Sequence, residues 1–495
     1  MGRHFAGSPN EPAQAKGEAM QRPLKMLAPV LLGLVVWLLP APQGLSAAAW
    51  AYFALFAAVV VALVLEPIPP ALSGLIGVTV AAVFRLVPVT PGKVPNAGEA
   101  LKWALSGFSN GTVWLIFAAF MFALGYERTG LGKRLGLSLI KRMGKKTLGL
   151  GYAVALADLI LAPFMPSNTA RSGGTIFPII KNIPPLYGST PEDNPRGMGA
   201  YLMWTALATT CVTSSMFLTS LAPNVLAHSM VEKHTQINIS WVDWSLSFLP
   251  VGIILFLATP LLTYLIYPPT QKTSENAPIW AGEELRKLGP VSGREITMGL
   301  LAVGALLGWI FLKGIVDPTT VALAAICVMV LAKVVSWDDV LGYKQAWNVL
   351  VWFATLVTLA DGLGKTGFLK WFADAAAVHM QGMSPTATLL GLAILFFVSH
   401  YMFASVTAHV AALLPVMLAT AMAVPGLDIG LAAMVLCGTL GIMGVITPYG
   451  TGPSPIYYGS GYIKGKEFWV LGFIFGAIYL AVYLLVGFPW MLMRA

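Results

Sequence analysis

The sequence predicts an all-α polytopic membrane protein with a single membrane domain, built as an inverted repeat around two re-entrant hairpins. Three observations carry this. Of 495 residues, 57% are hydrophobic and only 10% are charged, far more apolar than a soluble domain. Apolar runs near the roughly 20 residues needed to cross a bilayer recur along nearly the whole length, and no polar stretch is long enough to hold a second, soluble domain. Finally, Met165-Pro166-Ser167-Asn168-Thr169-Ala170-Arg171 is echoed by Ala404-Ser405-Val406-Thr407-Ala408-His409. Ser, Thr, Ala and a potentially cationic residue recur at a constant offset of 238 residues, which marks two related halves.

The net charge of +9 does not point to nucleic acid, because much of the basic excess lies in short segments between apolar runs, where Lys and Arg set topology. Cys211, Cys327 and Cys437 are odd in number and fall inside apolar segments, which argues against a disulfide framework. No Cys/His metal spacing, glycine-rich phosphate loop or Gly-x-Ser-x-Gly elbow appears. Asp158 and Asp361 lie in apolar context but lack the Gly-x-Gly-Asp setting of intramembrane proteases. An enzyme, a cofactor and a nucleic-acid partner are therefore not expected; membrane lipid is.

In order, residues 1–23 read as a polar cytoplasmic tail, followed by an uncleaved first span, since Pro40 and Pro42 leave no small-residue cleavage pattern. Spans are expected at about 24–40, 46–65, 71–88 and 111–126, with Glu66 to Pro70 as a turn. They deliver the chain to Arg128, Lys133, Arg134, Lys141, Arg142, Lys145 and Lys146, which only Glu127 opposes. The positive-inside rule places that stretch, and with it the N-terminus, in the cytoplasm. From Thr147 to Tyr187 an apolar stretch is broken near its middle by Pro163, Pro166 and the Ser167 motif. Backbone groups freed there must be satisfied inside protein or beside water, which favours a re-entrant hairpin over about 147–187. A span from about 198 is interrupted at Thr219-Ser220-Leu221-Ala222-Pro223-Asn224, read either as backbone opened at a binding site or as a packed proline kink. A further span, about 246–267, closes a first half over 24–269, and the mixed charges of 270–295 read as a solvated cytoplasmic linker.

The second half, 296–495, repeats the plan. Spans at about 296–314, 319–335 and 347–361 lead to Gly364-Lys365-Thr366-Gly367-Phe368, an echo of Glu127-Arg128-Thr129-Gly130-Leu131. The chain is densely basic after Gly130, whereas after Gly367 Lys370 is offset by Asp374. Three crossings from a cytoplasmic linker also end outside, so the halves run in opposite orientations. A second hairpin, about 384–425, enters from outside with Ser405 at its tip. A last interrupted span holds Thr447-Pro448-Tyr449-Gly450-Thr451-Gly452-Pro453-Ser454-Pro455, which matches the first break at an offset near 232. The final span, from about Phe468, leaves the C-terminus outside.

Two tips and two breaks meeting at mid-membrane offer hydroxyls, amides and helix N-termini, which suits an organic anion because a carboxylate accepts such hydrogen bonds. The candidate substrate-binding residues are Ser167, Asn168, Thr169 and Arg171 at the first tip and Ser405, Thr407 and His409 at the second. Thr219, Pro223 and Asn224 join them from the first break, and Thr451, Ser454 and Pro455 from the second. An ionisable side chain inside a bilayer is a functional candidate by default. Arg171 and His409 have two readings: cations facing a ligand, or a structural partner of Asp158 and a neutral core imidazole. His400 is a further ionisable residue in apolar context.

At Ser167-Asn168-Thr169, at its His-bearing echo and at Ile446 to Tyr462, the chain resembles the divalent anion:sodium symporter family. The last string is similar to the branch of citrate/succinate and tartrate/succinate antiporters and plastid 2-oxoglutarate/malate translocators. The resemblance spans nearly the whole chain. It implies a homodimer in a bacterial inner membrane, each protomer with about eleven crossings and two hairpins, divided into a scaffold and a transport domain that moves as an elevator. It also implies a substrate in the class of succinate, malate, 2-oxoglutarate, tartrate and citrate. Sodium-coupled members carry Ser-Asn-Thr in both hairpins, and here the second copy is Ser405-Val406-Thr407. Valine offers no oxygen to a hard cation. The expectation is sodium-independent antiport with Arg171 and His409 in place of sodium, and with His409 making exchange pH-sensitive. Sodium-coupled dicarboxylate symport, and an inorganic-anion or proton-coupled transporter of the same superfamily, are the alternatives.

Overall fold

Helix starts in this chain are set by side-chain caps. In the computed structural model, which describes residues 11–90, 93–312, 314–379, 382 and 384–494, Ser46, Asn110, Ser384 and Asp428 each accept a hydrogen bond from the N–H three residues on. Asn96, Ser292 and Ser336 complete reciprocal capping boxes with Glu99, Glu295 and Asp339. Such caps satisfy N–H groups that have no partner within their own helix. The Gly111–Thr129 helix ends at Gly130, at φ +76°, a left-handed conformation that glycine adopts without strain.

Among the described residues the fold is helical and holds no strand. Among the described residues, seven helices are long and apolar enough to cross a membrane, among them Ala47–Leu65, Trp241–Ile266, Lys344–Lys365 and Gly465–Leu492. Pro70–Val83 and Pro318–Leu331, also expected as spans, are shorter apolar helices.

The chain forms two compact units, Met1–Gly107 with Val351–Trp371, and Phe108–Leu350 with Phe372–Ala495. Each draws on both halves of the sequence. In the first unit, Glu11–Leu38, Ala47–Leu65, Pro70–Val83 and Ala97–Ala104 pack in succession. Tyr52 donates to the Leu359 carbonyl at 2.6 Å and Trp103 to Asp361 at 3.2 Å. Asp361 also pairs with Lys365 at 2.9 Å, so its charge is balanced locally.

The second unit is built around Gly199–Met216, in which every residue is buried. A helix apolar all round belongs in a core, and this one packs against Trp241–Ile266, Thr147–Leu161 and Thr439–Ile442. It also carries a run of hydroxyls, Thr209, Thr210, Thr213, Ser214 and Ser215, all buried.

Two expectations are corrected here. The first ten residues of the expected tail lie outside the described residues, but from Glu11 the chain is helical through to Leu38. The reason is local: 11–23 is rich in Ala, Glu, Gln and Lys, which are strong helix formers. The linker 270–295 carries a helix of its own, Asn276–Leu288. Its Ala277 and Ala281 are fully buried in one cluster with Leu137 and Ile140 of the Leu131–Met143 helix. The four-residue spacing of those alanines is a helical signal hidden among charges.

Candidate functional site

The two sequence echoes share one backbone design. Thr147–Leu161 passes through the turn Ala162–Phe164 into an irregular tip, and a helix restarts as Thr169–Ile176. Pro163 and Pro166 account for the interruption, since proline lacks an N–H, and Met165, before Pro166, is held in extended backbone. Likewise Pro385–Ser399 passes through the turn His400–Met402, and a helix restarts as Val406–Met422. Each tip serine caps its restart. The Ala170 N–H donates to Ser167 Oγ at 3.2 Å, and the Ala408 N–H to Ser405 Oγ at 3.4 Å. Next, the Arg171 and His409 N–H groups donate to the carbonyls of Ser167 and Ser405 at 2.8 and 3.0 Å.

The two breaks follow suit. Gly199–Met216 gives way to the turn Leu218–Ser220 before Ala222–Thr235 begins, with Pro223 in its first turn. The turn Met443–Val445 precedes an irregular stretch that ends at the short helix Ser454–Gly459, with Pro455 in its first turn.

Hydrogen bonds join these four segments into a ring. The Ala222 N–H donates to the Pro166 carbonyl at 2.8 Å, and Thr219 Oγ1 to that of Pro163 at 2.6 Å, which ties the first break to the first tip. In the second half, His400 Nε2 donates to the Gly450 carbonyl at 2.7 Å and Tyr449 to that of Tyr401 at 3.1 Å. Asn168 Nδ2 crosses between the halves to Thr451 Oγ1 at 2.7 Å, and Ser172 Oγ lies 2.8 Å from the Tyr457 hydroxyl. Val406–Met422 packs along Ala222–Thr235, closing the ring. Gly452 permits the close approach at its centre: a Cβ there would sit 1.8 Å from Thr169 Oγ1. Asn224 donates to the Ser214 and Phe217 carbonyls at 2.7 and 3.1 Å. Asn224 Oδ1, Thr447 Oγ1 and Ser454 Oγ are buried without a partner among the described residues, while Thr407 is buried in the first turn after Ser405.

Arg171 is turned into the protein. Its side chain is fully buried, with Nε 3.2 Å from Asp158 Oδ2. Nη1 donates to the Met165 and Ser220 carbonyls at 2.6 and 2.7 Å. Nη2 reaches Thr210, Thr213 and Ser214 at 3.2, 3.4 and 3.0 Å. All five guanidinium N–H groups are thereby engaged, and Asp158, which also accepts from Thr213 Oγ1, balances the charge. Of the two sequence readings, partnership with Asp158 is the one the geometry bears out: Arg171 buckles the first tip to the first break.

His409 is likewise enclosed by protein. Its buried ring lies among Phe396, His400 and Phe403 at centroid distances of 4.4, 5.1 and 4.8 Å. Nε2 meets Ser399 Oγ at 3.2 Å and Nδ1 has no partner. A second N–H on that ring would be buried without an acceptor among the described residues, which is costly. His400, by contrast, fastens the second tip to the second break. Sequence reasoning missed that role, those of Thr210, Thr213 and Ser214, and the contact of Tyr457 with Ser172. The run Thr209-Thr210-Cys211-Val212-Thr213-Ser214-Ser215, unusually rich in hydroxyls for an apolar span, was the available signal.

A family model described as the sodium:sulfate symporter transmembrane region matches residues 20–494. The chain belongs to the divalent anion:sodium symporter family. Among curated relatives, it is 47% identical over 472 residues to the citrate/succinate antiporter of Escherichia coli (strain K12), covering 94% of this chain and 97% of that one. It is 44% identical over 474 residues to the L-tartrate/succinate antiporter of Shigella sonnei (strain Ss046), with coverage of 94% and 97%. Of solved structures, the YdaH transporter of Alcanivorax borkumensis aligns with a TM-score of 0.56 at 15% identity, over 86% of this chain and 97% of that one. MtrF of Neisseria gonorrhoeae aligns with a TM-score of 0.54 at 13% identity, over 87% and 96%. At such identities the likeness concerns the fold alone. Membership of the divalent anion:sodium symporter family makes this chain a multi-pass membrane transporter rather than an enzyme.

Proposed function

We propose that this transporter exchanges small di- and tricarboxylates, in the class of succinate, malate, 2-oxoglutarate, tartrate and citrate, across a bacterial inner membrane. The observation that carries the reading is the ring of two tips and two breaks, closed between the halves by Asn168 and Thr451 at 2.7 Å. Ser167, Asn168 and Thr169 face the carboxylate from one tip, and Ser405 and Thr407 from the other. Thr219, Pro223, Asn224, Thr451, Ser454 and Pro455 frame it from the breaks. The N-termini of Ala222–Thr235 and Val406–Met422 supply partial positive charge that favours an anion. The names of the relatives, citrate/succinate and L-tartrate/succinate antiporter, support carboxylate exchange.

In this reading each protomer of a homodimer has about eleven crossings and two re-entrant hairpins, with its N-terminus cytoplasmic and its C-terminus external. The four ring segments travel together as the core of an elevator. Support comes from the bonds that tie each tip to its own break and the first tip to the second break, since a bonded cluster moves as a body. Exchange is independent of sodium, because Val406 stands where the first tip has Asn168 and supplies no oxygen ligand. With Arg171 balanced by Asp158 and His409 neutral, the standing positive potential comes from helix N-termini. An empty site keeps that potential uncompensated and a bound dianion balances it, which favours exchange over net uptake.

Counterflow in proteoliposomes tests this. Labelled succinate should enter vesicles loaded with succinate, enter empty ones far more slowly, and do so equally when potassium replaces sodium. Sodium-driven uptake into empty vesicles would instead establish the symport that the intact Ser167-Asn168-Thr169 copy favours.

A further inference from the structure

The basic stretch before the first tip segment holds an exposed ledge of cations that the transport reading leaves unused. Most of its neighbours are already matched. Arg128 pairs with Asp339 at 2.7 Å, Arg134 with Glu295 at 2.6 Å, and Lys133 and Lys287 share Glu284 at 3.6 and 2.6 Å. Lys272 stands 4.1 Å over the Tyr264 ring. What remains is Lys141, Arg142, Lys145 and Lys146, all exposed and without a side-chain ion pair or hydrogen bond among the described residues.

These four groups sit on a fixed frame. The Ser274 N–H donates to the Lys145 carbonyl at 2.9 Å and the Thr147 N–H to that of Lys272 at 3.0 Å. Ser274 Oγ donates to the Gly144 carbonyl at 2.5 Å and Thr147 Oγ1 to that of Gln271 at 2.6 Å. Below them, Leu137, Ile140, Ala277 and Ala281 form a buried seam, so Lys141 and Arg142 extend from a helix packed on its other face. Their depth is also constrained. Lys146 immediately precedes Thr147–Phe164, one of the helices long and apolar enough to cross a membrane, which sets the ledge at the level of lipid headgroups rather than in free solution.

We propose that Lys141, Arg142, Lys145 and Lys146 form a docking ledge for the headgroups of anionic phospholipids. Lys and Arg near a bilayer surface each strengthen association with anionic lipid by roughly fivefold, so four on one rigid frame make a site rather than a diffuse attraction.

The purified full chain in a neutral detergent tests this by thermal unfolding during titration with phosphatidylglycerol, phosphatidylcholine or inorganic phosphate. Phosphatidylglycerol alone should raise the melting temperature saturably, and salt near 1 M should abolish the rise because the charges are exposed. In Lys141→Gln/Arg142→Gln/Lys145→Gln/Lys146→Gln the half-saturating lipid concentration should rise by roughly a hundredfold or more. The pair variants Lys141→Gln/Arg142→Gln and Lys145→Gln/Lys146→Gln should fall between, which keeps the test informative if the quadruple variant folds poorly. Arg286→Gln should leave the effect intact. An equal rise with phosphatidylcholine, an equal rise with free phosphate, or an undiminished rise in the pair variants would each overturn the ledge.

Discussion

Replacing Asp158 by asparagine removes the single charge that balances Arg171. The other partners of the guanidinium are neutral: the Met165 and Ser220 carbonyls at 2.6 and 2.7 Å and three hydroxyls. The variant therefore buries an uncompensated cation, and breaking one side of a buried pair costs about 3–5 kcal/mol. Arg171→Met does the reverse, leaving a buried carboxylate and two carbonyls without donors, each carbonyl adding about 1–3 kcal/mol. The double variant Asp158→Asn/Arg171→Met restores neutrality and should be more stable than the summed single changes predict, by about 1–3 kcal/mol. The assay is thermal unfolding of the purified protein, paired with counterflow at saturating succinate on the same preparations. A cation that served the ligand directly would give another result: Asp158→Asn would then tighten dianion binding, lowering KM with the melting temperature unmoved. That outcome, or strictly additive single variants, would refute the buckle.

Gly452→Ala should lower exchange at least tenfold and reduce the melting temperature, because its Cβ would lie 1.8 Å from Thr169 Oγ1. Adding Thr169→Ala leaves a contact of 3.1 Å to Cβ and should restore the melting temperature but not transport. Val406→Asn recreates Ser-Asn-Thr at the second tip, and sodium stimulation of exchange, absent in the wild type, should appear in reconstituted vesicles; continued indifference to sodium would show that the carboxamide is not the missing element. At the surface, the Ser336 backbone N–H first, then its hydroxyl and Arg128, hold the Asp339 carboxyl below its usual value of 3.8. A depressed carboxyl stabilises above that value and loses the contribution as pH falls further. The wild type should thus show a drop in melting temperature on acidification below about pH 4 that Asp339→Asn lacks in part.

Much of this architecture is local, and so legible in the sequence. Pro163 and Pro166 stand only three residues apart and together remove two N–H groups from one helix, and the serines of the two tips form matching caps because a cap needs only its next three residues. The fate of Arg171 was not legible in the same way. Its partners come from 158, from the tip itself and from 210–220, and only tertiary packing brings these together, so the sequence favoured a ligand-facing cation over the ion pair. His409 poses the same problem, since the rings that enclose it, Phe396, His400 and Phe403, are gathered by packing rather than by any charge visible in its neighbourhood. The linker misled for a different reason: charges dominate its composition, while Ala277 and Ala281, the residues that dock it, are small and inconspicuous.

Every partner of the Arg171 guanidinium lies between Asp158 and Ser220. The most expensive group to leave bare in a bilayer is therefore matched by residues made within the same stretch of synthesis, long before Thr451 emerges from the ribosome. Newly inserted chain can set its first tip early and hold it in shape, with Asn168 waiting for a hydroxyl that arrives almost three hundred residues later.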